Sequence, residues 1–176
     1  MKLFAFLLSF VLFIAPAHAE DFMSDFGVVK PKERLLAPDF TLYNLKGEKV
    51  SLSQLRGNIV LLHFWATWCK GCREEMPSLQ KVMEMYGDKG FKVFTINIDR
   101  GDKDKILTFM EHHHVNLPVL LDTENNVRKK YEILGLPTGY LIGKDGKFIG
   151  KIMGERNWTS EKGRSVISSL LLDSDS

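Results

Sequence analysis

The sequence of 176 residues holds only two cysteines, Cys69 and Cys72. That is too few for a fold stapled by disulfides, and a bridge between them would close too short a loop to stabilise much. An excess of either charge is also missing: 24 Lys+Arg stand against 22 Asp+Glu, interleaved along the chain. This argues against nucleic acid or a membrane surface as the main partner. There is no internal repeat and no low-complexity tract, and no apolar run reaches the roughly 20 residues of a membrane-spanning helix. What is present, 44% hydrophobic, 26% charged and 11% aromatic residues, is the composition of one globular domain.

The longest apolar run, Leu3 to Ala15, follows the basic Lys2 and precedes a small-x-small ending, Ala17-His18-Ala19. These three parts read as a secretory signal peptide cleaved after Ala19, the other reading being an uncleaved membrane anchor. The expected organisation is a signal peptide at 1–19, a leader at 20–34, one domain at 35–172 and a tail at 173–176. The mature protein is expected to be a soluble, periplasmic or otherwise extracytoplasmic monomer, in a compartment where thiols tend to be oxidised.

Along the mature chain, residues 20–37 mix charges with Gly27 and Pro31 without periodicity, and lie over the domain or hang from it. Asp39 to Leu42 and Lys49 to Leu52 flank Lys46-Gly47, an edge hairpin. Asn58 to Ala66 is almost continuously apolar, the mark of a central strand covered on both faces. Met76, Leu79, Val82, Met83 and Tyr86 recur every three or four residues, predicting a helix over 72–86 bent by Pro77. Further strands are expected over 91–98, 118–121, 137–142 and 147–153, the last two joined through Lys144-Asp145-Gly146. Helices are expected over 103–113, opened by Asp102, over 125–131, and over 158–172, starting at Trp158. The class is α/β with a central mixed sheet between helices.

The chemistry concentrates in Trp65-Ala66-Thr67-Trp68-Cys69-Lys70-Gly71-Cys72, where the central strand meets the helix. A Cys-x-x-Cys in a first helical turn brings its sulfurs within bonding reach, and unpaired backbone N–H groups at the terminus favour a Cys69 thiolate. Cys69 is then the attacking sulfur and Cys72 the buried resolver. Half-ionising a thiol at pH 7 takes about 2 kcal/mol, whereas a helix terminus typically supplies roughly 0.3–1. Lys70 and a hydrogen bond from Cys72 are the candidate supplements. A zinc site would need two more ligands. His112, His113 and His114 point in different directions on a helix and read as a helix end, so neither metal nor cofactor is expected. The peroxidatic motif of peroxiredoxins, with Thr three and Pro seven places before its cysteine, fits neither Cys69 nor Cys72.

In its ordered segments the chain resembles the thioredoxin superfamily, and within it the TlpA/ResA/CcmG-like extracytoplasmic thiol–disulfide oxidoreductases. The segments are Ala37-Pro38-Asp39-Phe40, Leu52 to Gly57, Phe64 to Cys72, Glu75-Met76-Pro77, Leu121-Asp122 and Leu136-Pro137-Thr138. The resemblance covers residues 35–172 and implies a thioredoxin-like fold with an N-terminal β-hairpin extension. It implies that Pro137 is a cis-proline packed on the active-site disulfide, leaving the Leu136 backbone to pair with an extended substrate. Trp68, Lys70, Gly71, Leu136 and Thr138 become the candidate substrate contacts.

Glu75 takes the place of the family's active-site acid, as a proton relay or merely as an acid favoured in a first helical turn. His63 stands where thioredoxins carry a buried Asp. It reads as a proton acceptor behind Cys72 titrating near neutral pH, or as a hydrogen-bonded core histidine. Gly71 replaces the proline of thioredoxins. Trp65, Trp68, Phe64 and Trp158 form either an apolar rim or part of the core. The expected activity is reduction of protein disulfides, with apocytochrome c or metal-site cysteines as substrates and a membrane thiol transporter as electron donor. An oxidase or isomerase, and a redox-inert or copper-handling binding protein, stand as alternatives.

Overall fold

A computed structural model describes residues 22–101 and 103–173. The signal peptide, the Asp102 helix start and the end of the tail lie outside them. An eight-stranded sheet runs in the order β1-β8-β7-β4-β5-β6-β2-β3, with β1 Val28–Val29, β2 Thr41–Asn44, β3 Lys49–Ser51, β4 Ile59–Trp65, β5 Phe91–Asn97, β6 Val119–Leu121, β7 Thr138–Ile142 and β8 Phe148–Met153. Five helices accompany it: α1 Phe22–Asp25, α2 Lys70–Tyr86, α3 Lys103–His112, α4 Asn126–Lys130 and α5 Glu161–Asp173.

Every residue of β4 is buried, because the strand is flanked by β5 in parallel and β7 in antiparallel register and covered on both faces. Side chains alternate between the faces. His63 and Trp65 project toward Glu75 of α2 and Phe109 of α3, while Phe64 packs on Tyr131 and Tyr140 on the opposite side. The Tyr131 hydroxyl donates to Pro38 O and the Tyr140 hydroxyl to Tyr131 O, which pins the β2–β3 hairpin's approach to the core. The hairpin itself forms an edge of the sheet, β3 being its last strand.

Two boundaries differ from the sequence reading for local reasons. Helix α2 begins at Lys70 and continues past Pro77 to Tyr86. Helix α5 begins at Glu161, not Trp158: Ser160 Oγ accepts from Gly163 N at 3.2 Å and starts the helix, whereas Trp158 is tied by its backbone N–H to Ser78 Oγ at 3.2 Å. The leader, which showed no periodicity, lies against the domain. Its Met23, Phe26 and Val28 are buried, and β1 adds an edge strand by pairing with β8.

Candidate active site

Strand β4 delivers Trp65, Ala66 and Thr67 to the start of α2, and backbone bonds fix the turn between them. Cys69 N donates to Ala66 O at 3.1 Å, and Ile98 N donates to Trp65 O at 3.0 Å. Asp99, unremarked in the sequence, accepts from Thr67 N and Asn97 Nδ2 through the same oxygen, both at 2.9 Å. Cys69 is the N-cap of α2 and its Sγ accepts from Cys72 N at 3.2 Å, so one otherwise unpaired donor of the helix faces the sulfur. The two cysteines are joined as a disulfide. Cys69 keeps a little exposure and Cys72 none, 7% against 0%, so an incoming thiolate meets Cys69 first.

One helical turn beyond Cys72, on the same face, Glu75 is buried. Its Oε1 accepts from Trp158 Nε1 at 2.6 Å, and its Oε2 lies 3.9 Å from His63 Nδ1, too far for a hydrogen bond. Burial pushes the carboxyl up to about 8; the Trp158 bond opposes this, and the charge of Glu155 adds to it. Burial drives His63 down to about 3. That value lies below the near-neutral titration expected from the sequence, and burial, which favours the neutral ring, is its cause. His63 is a core residue but not a hydrogen-bonded one. Among the described residues His63 Nε2, Glu75 Oε2 and Trp65 Nε1 are buried polar atoms without hydrogen-bond partners.

The peptide bond Leu136-Pro137 is cis. Pro137 is buried, and its Cδ lies 3.5 Å from the point a Cβ on Gly71 would occupy, so the proline loop covers the Cys-x-x-Cys turn. Leu136 is half-buried beside it. Thr138 is buried, with its hydroxyl donating to Gly135 O at 2.8 Å. Trp68 stands 72% exposed, whereas Phe64, Trp65 and Trp158 are in the core, so the apolar rim reduces to Trp68 among these four. Lys70 is exposed, with its ammonium 3.6 Å from Glu74. Helix α3 ends at His112, and no group of three His, Cys, Asp or Glu able to hold a metal lies among the described residues.

The sequence reading missed Glu155 and the role of Trp158. Both follow β8, and Gly154 N donates to Pro137 O at 2.9 Å, which brings their segment alongside the cis-proline. Only the three-dimensional approach of β8 to α2 reveals them. The chemistry available is two-electron thiol–disulfide exchange at Cys69–Cys72, above a neutral buried carboxyl.

The AhpC/TSA family matches residues 35–150. Thiol-disulfide oxidoreductase ResA of Bacillus thuringiensis subsp. konkukian is 37% identical over 120 residues, covering 68% of this chain and 69% of that protein. ResA of Bacillus subtilis is 35% identical over 118 residues, covering 67% and 65%. Among solved structures, a proposed thiol:disulfide interchange protein DsbE from Chlorobium tepidum superposes with a TM-score of 0.73 at 31% identity, covering 79% of this chain and 97% of that one. The thioredoxin domain of a thiol-disulfide oxidoreductase from Bacteroides vulgatus gives 0.68 at 28% identity, covering 78% and 96%. The chain thus belongs to the AhpC/TSA family and has the thioredoxin-like fold, and the bonded Cys69–Cys72 pair at its strand-to-helix junction makes it a ResA-like thiol–disulfide oxidoreductase.

Proposed function

We propose that this enzyme works outside the cytoplasm as a reductase of protein disulfides. The observation that carries the direction is the sign of the groups around the dithiol. A strongly oxidising disulfide is one whose reduced form is stabilised, chiefly as a low-pKa thiolate. Here the Glu155 carboxylate stands against Gly71, and Glu75, one turn below the dithiol, is neutral and supplies no positive charge. The nearest cation in sequence, Lys70, faces Glu74, and His63 is neutral. Beyond the helix terminus little favours a Cys69 thiolate, so the disulfide is the more stable partner and the dithiol the donor.

In the proposed cycle the Cys69 thiolate attacks one sulfur of a substrate disulfide, forming a mixed disulfide and releasing a substrate thiolate that takes up a proton. Cys72 then loses its proton and attacks Cys69 Sγ, releasing the second substrate thiol. Two electrons pass to the substrate and the enzyme ends as the Cys69–Cys72 disulfide. Glu75, one turn from Cys72 and raised to about 8, is suited to exchange that proton, its ionised form accepting it from Cys72 and its neutral form returning it, and His63 supplies its uncharged surroundings. An extended substrate docks along Leu136 and Trp68, with Pro137 and Gly71 forming the floor. The sequence pattern of residues 1–19 supports export. No helix among the described residues is long and apolar enough to cross a membrane. Apocytochrome c or metal-site cysteines as substrates, and a membrane thiol transporter as donor, complete the reading.

Equilibration with glutathione tests the direction. A potential at or below about −200 mV is expected, and a value near about −120 mV overturns the reductase reading. Trapping through Cys69 in a Cys72→Ser variant in the native envelope tests the substrates. Cytochrome or metal-assembly thiols are expected, and a broad set of unrelated secreted proteins would indicate general oxidation or isomerisation.

A further inference from the structure

We infer that Glu155 is a specificity-determining residue that selects substrate disulfides flanked by a basic side chain. Its Oε2 lies 3.4 Å from the point a Cβ on Gly71 would occupy, and Pro137 Cδ lies 3.5 Å from the same point. The carboxylate thus stands over the second of the two residues between the cysteines, beside the cis-proline. A Cβ at position 71 would meet both groups in ordinary van der Waals contact.

The carboxylate is also uncommitted. No ion pair joins Glu155 to another described residue. The adjacent Arg156 turns its guanidinium away, donating from Nε to Phe26 O and from Nη1 to the backbone oxygen of Glu155, both at 2.8 Å. The backbone that carries Glu155 is held on both sides, by Gly154 N donating to Pro137 O at 2.9 Å and by Ser78 Oγ donating to Arg156 O at 3.4 Å. A groove of about 400 Å³ beside α2 is lined by Glu74, Pro77, Ser78, Lys81, Glu155 and Arg156. Of the other charged groups in that lining, Glu74 is shared with Lys70 at 3.6 Å, Lys81 is paired with Glu84 at 3.2 Å, and Arg156 is bonded to backbone oxygens, which leaves Glu155 as the acid without an ion pair. An exposed carboxylate without an ion pair, beside Gly71 and the cis-proline, favours a Lys or Arg near the substrate cysteine and repels an acid there.

The inference rests on the site being a thiol–disulfide exchange site, not on the direction of exchange. The test compares two disulfide-linked peptides, identical except for Lys or Glu beside the cysteine, by kcat/KM for exchange with the intact protein at low ionic strength. The Lys peptide is expected to react about threefold faster, the size of one exposed charge contact, and the preference should fade with added salt. Glu155→Gln should bring the ratio to about one and Glu155→Lys should reverse it, while a denaturation midpoint checks that each variant is folded. A ratio unchanged in both variants overturns the inference. If neither peptide exchanges with the wild-type dithiol, the oxidoreductase reading of the site falls with it, whereas rapid exchange without selectivity sinks Glu155 alone.

Discussion

Glu75 and His63 oppose each other in the pH dependence of stability. In the folded protein Glu75 keeps its proton up to about 8, against 4.5 for the free side chain, because burial disfavours the carboxylate. Between those values the folded state binds a proton that the unfolded chain has lost, so this group makes stability fall as pH rises, by up to about 1.4 kcal/mol per pH unit. His63 has the reverse sign. Its folded value of about 3 lies below the free 6.5, so stability rises across that interval as the unfolded chain gives up its proton. The slopes cancel between 4.5 and 6.5, leaving a net rise below and a net fall from 6.5 to 8. Glu75→Gln keeps an oxygen for Trp158 Nε1 and should abolish the fall, while His63→Asn should abolish the rise below 4.5. Denaturant midpoints of the disulfide form across this range check both, since no thiol then titrates. A Glu75→Gln midpoint that still drops above 6.5 would refute the assignment. At this scale the chain was legible where chemistry is local. Cys69, Cys72 and Glu75 lie within seven residues of one another. Trp158, which holds Glu75 from 83 residues away, carried no signal beyond its hydrophobicity.

Among the elements, the segment between β8 and α5 does what none of the regular structure does: it joins the leader, the active-site helix and the proline loop. Phe26 of the leader meets Trp158 edge to face at 5.0 Å, and Trp158 in turn meets Ser78 and Glu75 of α2. The first turn of α5 closes against Trp158 so tightly that a Cβ on Gly163 would lie 2.5 Å from Trp158 O and 2.8 Å from its carbonyl carbon. Backbone atoms cannot rotate away as a side chain would. Gly163→Ala is therefore expected to cost about 2 kcal/mol or more, as overpacking of a filled interior does. It should also loosen Trp158 from Glu75, so that Glu75 regains water and the loss of stability above pH 6.5 shrinks. Urea denaturation at pH 6 and pH 8 reads both effects, and a variant as stable as the parent at both would show that the helix moves freely. The strands were legible because burial on two faces writes a continuous apolar run, as in β4. The packing of the leader was not, since the burial of Met23, Phe26 and Val28 depends on partners elsewhere in the chain, and the start of α5 was misplaced because the distant bond of Trp158 to Ser78 keeps it out of a helix that the local Ser160 cap begins.

For the molecule as a whole, the count of two cysteines fixes the stoichiometry of its chemistry. Both sit in one disulfide, and the described chain has no free thiol. The reduced chain stores one pair of electrons and has no third thiol through which to recover them. Each molecule must accept electrons from one partner and pass them to another through the same Cys69, the less buried of the two cysteines. The α/β order and the position of the dithiol could be read from the sequence, because strand and helix alternate around it. The placing of Glu155 at Gly71 and of Trp158 at Glu75 could not, because their segment reaches α2 only after β8. Mixed with excess disulfide peptide and no other reductant, the fully reduced chain should produce a burst equal to one peptide disulfide per chain and then stop. A small dithiol added afterwards should restart it. In Cys72→Ser the peptide should stay attached to Cys69, releasing one thiol where the parent releases two. Quantifying free peptide thiol after the burst distinguishes the cases: continued turnover without a donor, or half an equivalent per chain, would contradict a single two-electron store in each molecule.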